Sequence, residues 1–111
     1  MSSKTLYPEI TIFNPQGYVS AANATQFLEQ LTTAVKAQTN LILLVDMKEV
    51  EFMDSAGLMA MIKGFRLAQS LNKRLSICSV SPSVRMVFEL TQLDEVFEIF
   101  ENRDAFKTSL Y

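Results

Sequence analysis

The segment with the most chemical content is Asp54-Ser55-Ala56-Gly57, a hydroxyl beside a carboxylate and two residues before a glycine. A serine in that setting has three uses: capping a helix, attacking an electrophile, or accepting a phosphoryl group. Attack needs a base, and the chain contains no His. Ser-His-Asp, Cys-His and His-ligated metal schemes are therefore excluded. No Gly-x-Ser-x-Gly elbow is present. A Ser–Lys pair would have to use Lys48 or Lys63, and Lys63 lies two helical turns beyond Ser55. The single Cys, Cys78, cannot form an internal disulfide or a Cys cluster; within the apolar run Leu75 to Val80 it reads as a small core filler. No metal site and no cofactor are expected.

Capping and phosphoryl acceptance remain. Asp and Ser are both common helix caps, so an Asp-Ser pair ahead of a helix is explained by capping alone. A phosphoserine is also suited to such a spot, because a helix start gathers unpaired N–H groups and the positive end of the dipole. Gly57 adds a further clue. Glycine in the first turn of a helix costs up to about 1 kcal/mol relative to alanine. Either a partner approaches closely there, or the backbone itself requires the glycine.

The elements that must position this segment follow from periodicity. Glu9 to Phe13 alternates as a short strand, and Asn14-Pro15-Gln16-Gly17 is a turn signal that predicts a hairpin returning through Tyr18-Val19. Ala24, Phe27, Leu28, Leu31, Ala34 and Val35 form one helical stripe, with Asn23 or Ser20 as its cap. Leu41 to Val45 is a continuous apolar run, the mark of a central strand covered on both faces. Asp46 to Glu51 reads as a polar connection, followed by Phe52-Met53. A second helix begins near Ser55, burying Leu58, Met61, Ile62, Phe65 and Ala68 and exposing Lys63 and Arg66. Lys73 to Val80 is a strand, and Ser81-Pro82 opens a third helix that buries Val84, Val87 and Phe88. Val96 to Phe100 is the last strand, and Ala105 to Leu110 a terminal helix. The expected fold is α/β: a mixed, largely parallel sheet of four to five strands covered by about four helices.

With 111 residues the chain fits one domain, residues 1–111. Its net charge of −2 leaves no basic surplus for a nucleic-acid backbone, so no nucleic-acid partner is expected. No apolar stretch is long enough to span a bilayer, and the start, Met1-Ser-Ser-Lys-Thr, has no signal-peptide core. A cytoplasmic location without stable membrane insertion is the expectation.

Phe52-Met53-Asp54-Ser55-Ala56-Gly57-Leu58 resembles the signature of STAS domains, a hydrophobic pair followed by Asp-Ser-Ser/Ala-Gly-Leu. The family is named for sulfate transporters and anti-sigma factor antagonists. The resemblance spans nearly the whole chain: Leu41 to Asp46 is similar to the family's central strand, Arg74 to Arg85 to its next strand and Pro-opened helix, and Leu93 to Phe100 to its last strand. In the antagonist branch it implies a phosphorylation switch without catalysis. A serine kinase/anti-sigma factor with an ATP-binding histidine-kinase-like fold phosphorylates the motif serine, which is Ser55 here. The unphosphorylated form binds that kinase and frees a sigma factor or another target. A metal-dependent serine phosphatase resets the switch. The implied partner surface comprises Ser20, Ala21, Asp54, Ala56, Gly57, Leu58 and Met59. Met59 falls off the Leu58/Met61/Ile62 stripe and is expected to be at least partly exposed. Ala56 removes a competing hydroxyl next to Ser55. Many antagonists end their second strand with Gly-x-Leu-Asp; Gly17-Tyr18-Val19-Ser20 lacks that charge, so the regulated target need not be a sigma factor.

Two other classes compete. A phospho-aspartate receiver would use Asp46 with Glu49, Glu51 and Asp54, but it needs an acidic pair after the first strand and a Lys after the last, and Glu9 and Lys107 are poorly placed for both. The acidic residues read instead as a solvated loop. The alternative within the family is a STAS binding subunit of a membrane transport or other regulatory complex.

Overall fold

The computed structural model describes residues 10–37 and 40–110; the expected strand start at Glu9 and the first residues of the chain lie outside them. The elements are β1 (Ile10–Phe13), β2 (Gly17–Val19), α1 (Ala24–Lys36), β3 (Ile42–Asp46), β4 (Val50–Met53), α2 (Ser55–Ser70), β5 (Arg74–Cys78), α3 (Pro82–Leu90), β6 (Glu98–Phe100) and α4 (Arg103–Thr108), with a 3₁₀ turn at Leu93–Glu95. The expected α/β architecture with four helices is present. Its strands divide into a four-stranded sheet ordered β1-β3-β5-β6 and a two-stranded sheet of β2 and β4.

Every strand pair in these sheets is parallel, which overturns the expected hairpin. β1 pairs with β3, Ile10 opposite Ile42 and Phe13 opposite Val45. β2 joins β4 instead. The turn chemistry between them is present, since Gly17 adopts φ 78°. Pro and Gly specify a bend, however, and not which strand lies on the far side of it. Gly17 donates its N–H to the Glu49 carbonyl at 2.9 Å, which feeds the chain into the second sheet.

β4 takes in Val50 and Glu51, which the sequence pattern assigns to a polar connection. Its burial runs in, out, out, in from Val50 to Met53, and the β2–β4 register shifts between Gly17 and Tyr18. Such an irregularity breaks the two-residue alternation by which a half-buried strand is recognised.

β3 is buried along its whole length, as its apolar run requires. Its residues alternate between two cores. Leu43 and Val45, with Leu75 and Ile77 of β5, face the main core built with α1, α2 and α3 around Leu31, Val35, Met61, Val84 and Phe88. Ile42, Leu44 and Cys78 face a smaller core with Phe106 of α4. Cys78 is fully buried, and that burial raises its thiol pKa, in keeping with a filler. α1 and α2 meet where Leu31 lies over Gly64, a position with no room for a side chain. No helix among the described residues is long and apolar enough to cross a membrane.

Side chains fasten the ends of these elements. Ser81 caps α3 through the Val84 N–H, with Pro82 following as expected. Lys73 donates to the carbonyls of Val35 and Ala37 and to Asn40 Oδ1 at 2.7–2.8 Å, filling the acceptors at the C-terminal end of α1. Asp46, the receiver candidate, is buried and bound by Arg103 and the Lys48 N–H, a tie between β3 and α4. The last strand begins at Glu98, later than expected, because Leu93–Glu95 forms the 3₁₀ turn. The terminal helix is capped by Asn102, whose Oδ1 accepts from the Ala105 N–H.

On the sheet edge, Glu98 accepts from Arg74 Nε at 2.7 Å and from the buried Ser76 hydroxyl at 2.7 Å. The Arg74 hydrogen bond is the main reason the Glu98 carboxyl titrates below its ordinary value, against an opposing effect of partial burial. A lowered folded-state value adds stability above the unfolded-state pKa, and the gain disappears as pH falls through the lowered value. Because the pair is partly solvated, it contributes no more than about 1 kcal/mol. Glu98→Gln is expected to leave a shallower acid limb in a stability–pH profile followed by circular dichroism. A limb of unchanged steepness would show that the pair adds nothing.

Candidate functional site

Asp54 occupies the N-cap of α2 in an extended conformation, φ −97° and ψ −171°. Its Oδ1 accepts from the Ala56 and Gly57 N–H groups at 2.9 and 3.1 Å. Its Oδ2 accepts from the Ala21 N–H, 33 residues away in sequence, at 3.1 Å. The Asp54 N–H donates to the Val19 carbonyl at 3.1 Å. The Gly57 amide is the largest influence holding the Asp54 carboxyl below its ordinary pKa; the Ala21 and Ala56 amides add to it, against some desolvation.

Ser55, the first residue of α2, is exposed. Its hydroxyl makes no hydrogen bond among the described residues, and it lines none of the three main cavities. The capping role therefore belongs to Asp54, which frees Ser55 for another use. The helix start is also less open to an anion than the sequence suggested. Asp54 already occupies the Ala56 and Gly57 amides, and the Leu58 N–H is bonded to the Asp54 carbonyl. The Ala56, Gly57 and Leu58 amides are therefore not free to receive a group carried by Ser55.

The other site residues separate into an outer and an inner set. Ala21 is exposed, Ser20 and Ala56 are half-buried, and Met59 is 51% exposed, as its place off the buried stripe predicted. With Ala24, Thr25, Leu28, Ala56 and Lys63, Met59 lines a groove of about 230 Å³ between α1 and α2. Gly57 and Leu58 point inward and are buried, so they do not face a partner directly. A β-carbon on Gly57 would lie 2.7 Å from Met53 Cγ and 2.8 Å from the Val19 carbonyl oxygen. The close approach that excludes a side chain there is made by the molecule's own β2 and β4.

The β2–α1 turn is shaped by Asn23. The sequence offered Asn23 or Ser20 as the cap of α1, and Asn23 does stand at the N-cap, but its side chain makes no cap hydrogen bond. It turns back instead: Oδ1 accepts from the Ser20 N–H at 2.9 Å, and Nδ2 donates to the Tyr18 carbonyl at 2.8 Å. Ser20 Oγ accepts weakly from Ala22 N–H at 3.4 Å. Sequence reasoning gave no surface role to Tyr18 or Phe52. These exposed rings lie 6.2 Å apart on the outer face of β2 and β4, two positions before Ser20 and Asp54. Their signal was the pairing of β2 with β4, which is not visible in either segment alone.

An exposed serine at a helix start, capped by the preceding aspartate and followed by an obligatory glycine, sits in a parallel α/β fold whose sequence pattern matches the STAS domain across residues 2–105. The chain belongs to the STAS domain family. It is 31% identical over 100 residues to BtrV of Bordetella bronchiseptica, named a putative anti-sigma factor antagonist; the match covers 86% of this chain and 84% of that one. The fold is shared with a Thermotoga maritima structure likewise named as an anti-sigma factor antagonist, at a TM-score of 0.81 and 18% identity, covering 91% of this chain and 86% of that one. It is also shared with the Bacillus cell fate determinant SpoIIAA. The phosphorylated form aligns at a TM-score of 0.68 and 17% identity, covering 96% and 95% of the two chains. The unphosphorylated form aligns at 0.73 and 19%, covering 94% and 90%.

The crowding around Gly57 makes a direct test of this STAS site. Gly57→Ala should destabilise the fold by about 1–3 kcal/mol through overpacking against Val19 and Met53. That loss outweighs the gain of up to about 1 kcal/mol in helix propensity. Urea denaturation measures the difference; a midpoint at or above the parent's would mean that the joint has slack.

Proposed function

We propose that this STAS domain is an anti-sigma factor antagonist controlled by phosphorylation of Ser55. In this reading a serine kinase/anti-sigma factor binds the surface formed by Ser20, Ala21, Ala56 and Met59 around Ser55. It transfers the γ-phosphoryl group of ATP to the Ser55 hydroxyl, leaving ADP and the displaced serine proton, and the phosphorylated domain is released. A metal-dependent serine phosphatase restores the hydroxyl. The chain is then a ligand and substrate, not an enzyme, and the exchange takes place in the cytosol without a nucleic-acid partner. The regulated target is a sigma factor or another client of the same kinase.

The observation that carries this reading is the exposed Ser55 hydroxyl beside a carboxylate that has already satisfied the helix start. Ser55 has no base in contact among the described residues, so it is better suited to accept a group than to attack a substrate on its own account. The name of BtrV points to the same role. That SpoIIAA has this fold in both phosphorylation states supports a switch that leaves the fold intact.

Interface electrostatics are sufficient for such a switch. A phosphoserine carries about −1.5 to −2 charges. One like-charge pair about 5 Å apart costs roughly 3 kcal/mol at an effective dielectric near 20. Two such contacts, even screened, exceed about 4 kcal/mol, a thousandfold loss of affinity. On the domain itself the dipole of α2 favours the charge by about 0.3–1 kcal/mol, while the adjacent Asp54 carboxylate, already on the Ala56 and Gly57 amides, opposes it.

Incubation with ATP and a serine kinase of the anti-sigma factor class, followed by mass spectrometry, is expected to find one phosphate, on Ser55, and none in Ser55→Ala. Ser55→Asp, with a single charge, should weaken kinase binding by about a hundredfold while the melting temperature barely moves. Phosphate at another residue, or none, would overturn the proposal. Recovery of membrane transport components in place of a kinase in a pull-down would favour the transport-complex branch of the family.

A further inference from the structure

Ser20 and Ala21 come from the turn before α1, whereas Ser55 belongs to α2, so something must hold the two segments in register. Asn23 organises the turn internally: its side chain bonds the Ser20 N–H and the Tyr18 carbonyl, and its own N–H reaches the Ser20 carbonyl at 3.0 Å. That network gives the turn its shape and does not touch α2. The link to α2 is Asp54, whose Oδ2 accepts from Ala21 N–H while Oδ1 caps the helix that begins with Ser55. Among the described residues, no other side-chain hydrogen bond joins the turn to α2. The backbone bond from Asp54 N–H to the Val19 carbonyl lies at the turn's base. Asp54 is adjacent to Ser55, and its carboxylate is 3.1 Å from the Ala21 nitrogen. Ala21 is thus held against the residue that precedes Ser55.

From this geometry we infer that Asp54 is a positioning residue for phosphorylation: it locks the Ser20–Ala21 turn against the start of α2, so that the kinase reads turn and acceptor as one preformed surface. The inference rests on the phosphorylation reading and adds to it where part of the kinase's binding energy arises. Without the lock, the turn would have to be ordered on binding, which weakens association without altering the transfer step. Asp54 touches neither ATP nor the transferred phosphoryl group and acts through the turn.

Asp54→Ser separates the two functions of the carboxylate. Serine is as good a cap as aspartate, yet it has one oxygen and too short a reach to cap α2 and hold Ala21 together. Two measurements apply: amide hydrogen exchange at Ala21, and steady-state phosphorylation by the serine kinase that modifies the parent at Ser55. In Asp54→Ser, the Ala21 amide is expected to exchange at least about tenfold faster. KM for phosphorylation at Ser55, followed by mass spectrometry so that transfer to the hydroxyl introduced at position 54 is not counted, should rise by about tenfold, with kcat within about twofold of the parent. Asn23→Ala, which loosens the turn and leaves Asp54 in place, should raise KM in the same direction and serves if Asp54→Ser does not fold. Normal phosphorylation of the parent at Ser55 with unchanged KM in both variants would overturn this inference alone. A fall in kcat at constant KM would also overturn it, because the aspartate would then be acting on the acceptor. A parent chain that gains no phosphate on Ser55 would remove the underlying reading, and this inference with it.

Discussion

One carboxylate with three amide donors governs the exposed end of this molecule. Asp54 closes the first turn of α2 with one oxygen and fastens the turn before α1 with the other. Its amide ties β4 to the end of β2 through the Val19 carbonyl. Several elements distant in sequence thus converge on a single residue. Such an arrangement works in water because each donor is an otherwise orphaned backbone N–H, for which a charged acceptor is a strong partner. It also explains why the neighbouring serine is left without structural duty.

The division of labour between Asp54 and Ser55 bears on how a charge added there would be felt. Were the helix amides free, a phosphoryl group would settle onto them and part of its charge would be absorbed by the domain. With those amides engaged, its charge faces whatever docks on the surface. In the proposed switch a small fold needs no second conformation to carry a binary signal, because the sign of the interaction changes at the interface and not within the core.

Much of this was legible in the sequence, and the parts that were not share a cause. The stripes of α1 and α2, the fully buried β3 and the Ser81-Pro82 start of α3 follow from spacing and local capping chemistry, which a single segment contains. The partner of β1 is not contained in β1. Its four residues are equally consistent with a hairpin, and the choice of β3 reflects the apolar run some thirty residues later. β4 was hidden because its register slip puts Glu51 and Phe52 outward together. At the site, the exposure of Ser55 and Met59 followed from their positions on the helix, whereas the Asp54–Ala21 bond joins residues 33 apart and leaves no local trace. Asn23 illustrates the same limit: its residue type fits a cap, but its side chain found better partners in the preceding turn.

The joint beneath Gly57 has an evolutionary corollary. Since Val19 and Met53 occupy the volume where a methyl would go, the glycine is demanded by the domain's own assembly, whichever protein it serves. Selection for folding alone would preserve that letter of the motif. The exposed residues Ala21 and Met59 fill no such joint, so a substitution there alters the outer surface and leaves the seam between strand and helix closed.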